Sequence, residues 1–204
     1  MLGIIDYGMG NLASVQNALE SVSIASVIIR NPAELKNCDK AILPGVGAFG
    51  MAMNNIKNRS FDSAIKDFAL SDKKPFLGIC LGMQLLFESS EEHGMHEGLG
   101  LIEGTVLDMC GRVGEHPIPH MGWNTVTYKA ESRLFHTLTD ASHDFYFVHR
   151  FYCNTSDTDS IAGETEYAIT FTSAVEKDNI FGCQFHPEKS QRSGIEILKN
   201  FDDL

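Results

Sequence analysis

The chain has 204 residues, of which 43% are hydrophobic and 21% charged, and it carries a formal net charge of −11. Such values fit one folded domain over residues 1–204 with a substantial core, and they set aside disordered and fibrous classes. The acidic balance, with no local basic patch, argues against nucleic acid as the main partner, because a phosphate backbone would be repelled. The five cysteines, Cys38, Cys80, Cys110, Cys153 and Cys183, are odd in number and lack a C-x-x-C pair. That pattern suits a reducing compartment better than a disulfide framework. The Met1–Tyr7 start carries no signal-like segment and no apolar run approaches membrane-spanning length, so the expected location is cytoplasmic.

Residues 2–6 are a short apolar run, followed by Tyr7-Gly8-Met9-Gly10-Asn11 and a helical pattern through Leu12, Val15, Ala18, Leu19 and Val22. Strand, glycine-rich turn and helix open an α/β unit. Position 13 is alanine, so the third glycine of a dinucleotide fingerprint is missing and no cofactor is expected. The turn is instead placed at the carboxyl edge of a sheet, where α/β proteins put their ligands. A second run, 25–29, ends in a turn at Asn31-Pro32. A third, Ala41–Leu43, ends in Pro44-Gly45-Val46-Gly47. That loop is either a plain strand-to-helix turn or one that presents backbone N–H groups to an anion.

Helical periodicity fills residues 48–70, and a further apolar run from Pro75 passes through Gly78-Ile79-Cys80-Leu81-Gly82 into Met83, Gln84, Leu85, Leu86 and Phe87, which read as the first turns of a helix. Glycines flanking Cys80 permit a sharp strand-to-helix turn that pushes the side chain out at the end of a strand. The helix start favours an anionic sulfur, and its N–H groups suit an oxyanion formed by attack on a carbonyl. A buried apolar filler is the plainer reading of any single cysteine. The polar segment 88–97 contains His93 and His96, which lack a further ligand pair at zinc-like spacing; it reads as a solvated loop.

Beyond residue 100 short strands follow one another at 105–109, 125–128, 145–149, 161–167, 170–175 and 180–185, as in an antiparallel layer added to a parallel sheet. Pro117-Ile118-Pro119-His120-Met121-Gly122-Trp123-Asn124 reads as a loop, with Trp123 either core or an interface anchor. In Phe185-His186-Pro187-Glu188, proline restricts a histidine and a carboxylate two residues apart. With Cys80 they supply a nucleophile, a base and a group to orient the base. A closing helix ends near Phe201.

The segments Gly78-Ile79-Cys80-Leu81-Gly82-Met83-Gln84 and Phe185-His186-Pro187-Glu188 resemble the cysteine-dependent glutamine amidotransferases. Ile4–Asn11, Pro44–Gly47 and Pro119–Asn124 make the chain similar, over essentially its full length, to the branch formed by glutaminase subunits of imidazole glycerol phosphate synthase. The resemblance implies a flavodoxin-like three-layer α/β sandwich with a mostly parallel central sheet. It implies catalysis by Cys80, His186 and Glu188, and an oxyanion hole from the N–H of Leu81 and, after a peptide flip, of Val46. Gln84 and the backbone at Gly47, Arg150 and Phe151 would hold glutamine. Asn11, Trp123, Asn124, Tyr146 and Lys189 would line a sealed junction through which ammonia passes to a HisF-like (β/α)₈ synthase subunit, with neither metal nor cofactor. One departure stands out: Arg150-Phe151-Tyr152 occupies a place where the family commonly has Ser-Tyr-Tyr. The charge of Arg150 leaves open a different ammonia acceptor, a surface-polysaccharide sugar undergoing amidination. A cysteine peptidase on a similar elbow and a regulatory domain with a decayed site are the readings outside this family.

Overall fold

The computed structural model describes residues 1–140 and 142–204. Five parallel strands form its centre: β1 (Leu2–Ile5), β2 (Ser26–Ile29), β3 (Lys40–Gly45), β4 (Phe76–Cys80) and, after the long antiparallel excursion, β13 (Ile180–Cys183), in the order β2-β1-β3-β4-β13. Each of β1, β3, β4 and β13 is buried on both faces, which is why they read as unbroken apolar runs rather than alternating ones. Alternate residues still serve different cores. Ile4, Ile42, Leu77, Ile79 and Phe181 pack on the face shared with Val15, Leu198 and Phe201, whereas Ile5, Ala41, Leu43, Phe76 and Ile180 pack with Phe49, Ile56 and Phe61. The first face is covered by α1 (Leu12–Glu20) and α5 (Gln191–Asp202), the second by α2 (Phe49–Asn58) and α3 (Phe61–Lys66). Each fully buried aromatic contributes roughly 2–3 kcal/mol of transfer free energy.

The antiparallel strands expected in the second half extend this same sheet. β12 (Thr170–Lys177) pairs antiparallel with β13, followed outward by β10 (Phe151–Asn154) and β7 (Ile102–Asp108), also antiparallel, then β5 (Phe87–Ser90), which runs parallel to β7, and β6 (His96–Glu97), antiparallel to β5. A branch leaves at β11 (Ile161–Glu166), which pairs with β12 and with β8 (His120–Tyr128); β8 in turn pairs with β9 (Ser142–His149). Among the described residues no helix is long and apolar enough to cross a membrane.

Local assignments differ from the sequence expectation in four places. The helix expected over 48–70 breaks at Ser60, which takes a left-handed conformation with φ 59°, so that α2 and α3 turn separately onto the sheet. The helix after Cys80 is the single short α4 (Leu81–Leu85), and Phe87 already belongs to β5. The segment 88–97, expected as a solvated loop, contains β5 and β6, and its Glu92 is buried. That burial is tolerated because the carboxylate accepts the N–H of Phe49 at 2.6 Å, at the start of α2. Trp123, expected in a loop, lies within β8, in register with Tyr146 of β9.

Candidate active site

β4 delivers Cys80 at its carboxyl end with φ 55° and ψ −110°, a backbone state that costs a residue with a side chain on the order of 1–3 kcal/mol. The glycines on either side make the turn possible. A β-carbon on Gly82 would stand 1.8 Å from the Leu43 carbonyl oxygen, and one on Gly78 would stand 2.5 Å from that of Gly82. The elbow therefore packs backbone against backbone, and α4 begins immediately behind the sulfur. Leu81 is the first residue of α4, where an N–H has no partner inside the helix. Gly45 and Cys80 are register partners between β3 and β4, which sets the Pro44–Gly47 loop directly beside the elbow. Val46 in that loop is 43% exposed.

His186 arrives from the chain that follows β13. Its Nδ1 lies 2.8 Å from Glu188 Oε1, with both side chains only 2% exposed, and Nε2 remains without a hydrogen-bond partner. Burial alone would lower the imidazole, but the adjacent Cys80 and Glu188 outweigh it and raise its pKa to about 9. The turn is pinned from three sides. His186 N–H donates to the Tyr146 carbonyl at 2.9 Å, Ser190 Oγ donates to the His186 carbonyl at 2.6 Å, and Gly194 lets α5 approach so closely that a β-carbon there would meet the Pro187 oxygen at 1.9 Å.

Val46, Gly47, Cys80, Leu81, Gln84, Arg150, Phe151, His186 and Lys189 all line one cleft of about 420 Å³. Both donors of the Gln84 amide are engaged, with the Phe151 carbonyl at 2.9 Å and with Gln184 Oε1 at 3.1 Å, so its oxygen is the atom left for a ligand. Asn11, Trp123, Asn124 and Tyr146 stand outside the cleft. Asn11 caps α1, accepting the Ser14 N–H at 3.3 Å. Trp123 is 49% exposed and meets Tyr146 edge-on at 6.2 Å, and the Lys189 ammonium lies 5.9 Å above the Tyr146 ring. Three of the expected interface residues thus form one surface cluster beside His186.

Arg150 does not place a free charge in the cleft. Its guanidinium grips Asp108 through Nε to Oδ1 at 3.0 Å and to Oδ2 at 3.1 Å and Nη2 to Oδ2 at 2.7 Å, and this pairing holds the Asp108 carboxyl below its ordinary range.

Several site residues escaped the sequence reading. Gln184, fully buried, points its amide at the Cys80 sulfur at 3.8 Å. It lies two residues before His186, just beyond the end of β13, and nothing in the sequence singles it out. Glu92 and His93 also line the cleft, yet Glu92 is held there by Phe49, 43 residues away. His149 lines it as well and bonds to His120 behind.

The family model for class-I glutamine amidotransferases matches residues 3–203. The chain is 53% identical over 203 residues to "Imidazole glycerol phosphate synthase subunit HisH" of Sulfurimonas denitrificans, covering 98% of this chain and 97% of that one. It is 46% identical to the subunit of the same name from Desulfitobacterium hafniense strain DSM 10664, covering 98% and 93%. Among solved structures, a glutamine amidotransferase superposes with a TM-score of 0.76 at 13% identity, covering 99% of this chain and 97% of that one. PurLQS from Thermotoga maritima gives 0.76 at 18% identity with the same coverage, and at such identities the likeness speaks for the fold.

Proposed function

The chain belongs to the class-I glutamine amidotransferase family, and on that premise we propose that it hydrolyses glutamine through Cys80, His186 and Glu188. The observation that carries this reading is the buried His186–Glu188 pair facing a cysteine held at a strained elbow. The Cys80 sulfur attacks the side-chain amide carbon, and the negative charge that develops on oxygen is taken by the N–H of Leu81 and, from the adjacent loop, of Val46. Glu188 holds Nδ1, so Nε2 is the nitrogen that hands a proton to the departing ammonia as the C–N bond breaks. Water then enters, His186 takes one of its protons, and the thioester is released as glutamate with the sulfur restored. At the amino-acid end of glutamine, Glu92 is the anionic group of the cleft that suits an ammonium, with the Gln84 oxygen, Gly47 and the backbone of Arg150 and Phe151 around it.

The ammonia goes to a HisF-like (β/α)₈ synthase subunit in histidine biosynthesis. Support comes from relatives 44–53% identical over nearly the whole chain, each named as a subunit of imidazole glycerol phosphate synthase. The cluster of exposed Trp123 and Lys189 around half-buried Tyr146, together with Asn124 and Asn11, is the surface assigned to that partner. Five unpaired cysteines support a cytoplasmic setting. The test is glutamate release from glutamine with and without a HisF subunit, for the parent chain and for Cys80→Ala. Equal release by the variant would end the catalytic assignment, and an indifference to HisF would end the partner assignment.

A further inference from the structure

Behind the cleft lies a chain of hydrogen bonds that the reaction does not use. His149 Nδ1 meets the Phe151 carbonyl at 2.8 Å, and His149 Nε2 meets His120 Nδ1 at 2.9 Å. His120 Nε2 meets Asn124 Nδ2 at 3.2 Å, and the same amide nitrogen donates to the Glu166 carbonyl at 3.0 Å. Both histidines are buried, and His120 is stacked between Phe147 at 4.8 Å and Tyr167 at 4.1 Å. Burial lowers His120 to about 4. For His149 burial outweighs the bond to Phe151, and the neighbouring imidazoles add to the effect, leaving it at about 3, so each ring carries one proton at neutral pH.

One proton order alone satisfies these bonds. A carbonyl only accepts, so the Phe151 oxygen requires the proton of His149 on Nδ1. Nε2 of that ring is then bare and requires a donor, which places the proton of His120 on its Nδ1. The Nε2 of His120 is bare in turn and accepts from Asn124, whose amide is oriented by the Thr125 N–H on Oδ1 at 2.8 Å. Without a donor from His120, the His149 ring is free to move its proton to Nε2 and cease to hold Phe151, whose carbonyl would keep only Gln84.

We propose that His120 and His149 are positioning residues, a tautomer-locked pair that fixes the Phe151 carbonyl of the cleft from Asn124 on the Trp123 strand. The proposal rests on the reading of the cleft as a glutamine site, because the Phe151 carbonyl orients the Gln84 amide, whose oxygen is the atom left for the amino-acid end of that substrate. It makes β8, which carries Trp123 on its exposed side, a route by which a change at that surface reaches substrate affinity.

Two measurements test it. In ¹⁵N-histidine NMR of the unmodified protein at neutral pH, both rings carry their proton on Nδ1, and a coupling across the N–H···N bond joins His120 to His149. A His149 ring protonated on Nε2 would overturn the proposal, whether or not any variant folds. In steady-state glutaminase assays with a HisF subunit, His120→Leu raises KM for glutamine about fivefold, the equivalent of one neutral hydrogen bond, with kcat within about twofold. His120→Asn, whose amide nitrogen stands where Nδ1 was, keeps KM within about twofold. An unchanged KM in folded His120→Leu, or an equal rise in both variants, would sink the relay. A parent chain with intact Cys80 and no glutaminase activity would instead sink the functional reading, leaving the NMR result to judge the pair.

Discussion

Glu188 Oε1 and His186 Nδ1 are 2.8 Å apart, and both side chains are almost wholly shielded from water. The carboxylate therefore decides which imidazole nitrogen faces Cys80. Replacing Glu188 by Gln keeps the shape but removes the charge and the preference for one tautomer. The expected loss is about two to four orders of magnitude in kcat, with KM for glutamine little changed. A loss of less than tenfold in steady-state assays would show that His186 does not depend on this orientation.

The same pair sets a pH dependence. Burial opposes the charge on His186, but Cys80 and Glu188 prevail and raise it to about 9, against an unfolded value of about 6.5. A raised histidine stabilises the fold fully below the unfolded value, and that contribution is lost as pH climbs through about 9. Thermal midpoints should fall between pH 7 and 9.5, and His186→Asn should flatten that slope. Glutaminase turnover should decline over the same limb, because the proton for the leaving ammonia disappears. A turnover still rising at pH 9.5 would contradict the assignment of His186 as proton donor.

His120 and His149 act in the opposite direction. Their folded values, about 4 and about 3, lie below the unfolded value, so the unfolded chain binds more protons between about pH 3 and 6.5. Stability is therefore complete above about 6.5 and is lost as pH falls through that window. Urea unfolding at pH 7, 6, 5 and 4 should show a declining midpoint, and His120→Leu should lessen the decline. Equal slopes in parent and variant would mean that the pair is not neutral in the fold.

Gly82 offers a structural test. An alanine there would place its β-carbon 1.8 Å from the Leu43 oxygen, a backbone atom that cannot swing aside without disturbing β3. The expected result is a loss of at least about 3 kcal/mol by chemical denaturation, or failure to fold. Full stability in Gly82→Ala would refute the tight approach of α4 to β3.

Arg150→Ser should be nearly silent. The guanidinium is on the surface, tied to Asp108, and screened by water. KM and kcat should each remain within about twofold of the parent. A larger change in KM alone would mean that the guanidinium leaves Asp108 to contact substrate.

What could be read from the chain was what lies close along it. Gly78, Cys80 and Gly82 describe their turn within five residues, and His186 and Glu188 describe theirs within three, so the elbow and the histidine–carboxylate pair are legible from the chain alone. The parallel order of the central strands follows from apolar runs spaced by helices. Hidden residues depend on distant partners. Glu92 looks solvated until Phe49 supplies its N–H, and Gln184 is unremarkable until β4 sets Cys80 beside it. Prolines preceding Trp123 favour a loop there, whereas pairing with Tyr146 across 23 residues makes it part of a strand. The early end of α4 has the same origin, since Phe87 is drawn into β5 by pairing with Ile102 of β7.

The register of Gly45 opposite Cys80 has one more consequence. Adjacent strands in a sheet are held about 4.8 Å apart by main-chain hydrogen bonds, whatever side chains they carry. The gap between the Cys80 elbow and the Pro44–Gly47 loop is thus set by the backbone lattice of the protein. On the reading proposed above, the surface residues of β8 and β9 that would face a partner can change while that gap stays the same. On that reading, the spacing of the reacting groups does not depend on which partner the surface meets.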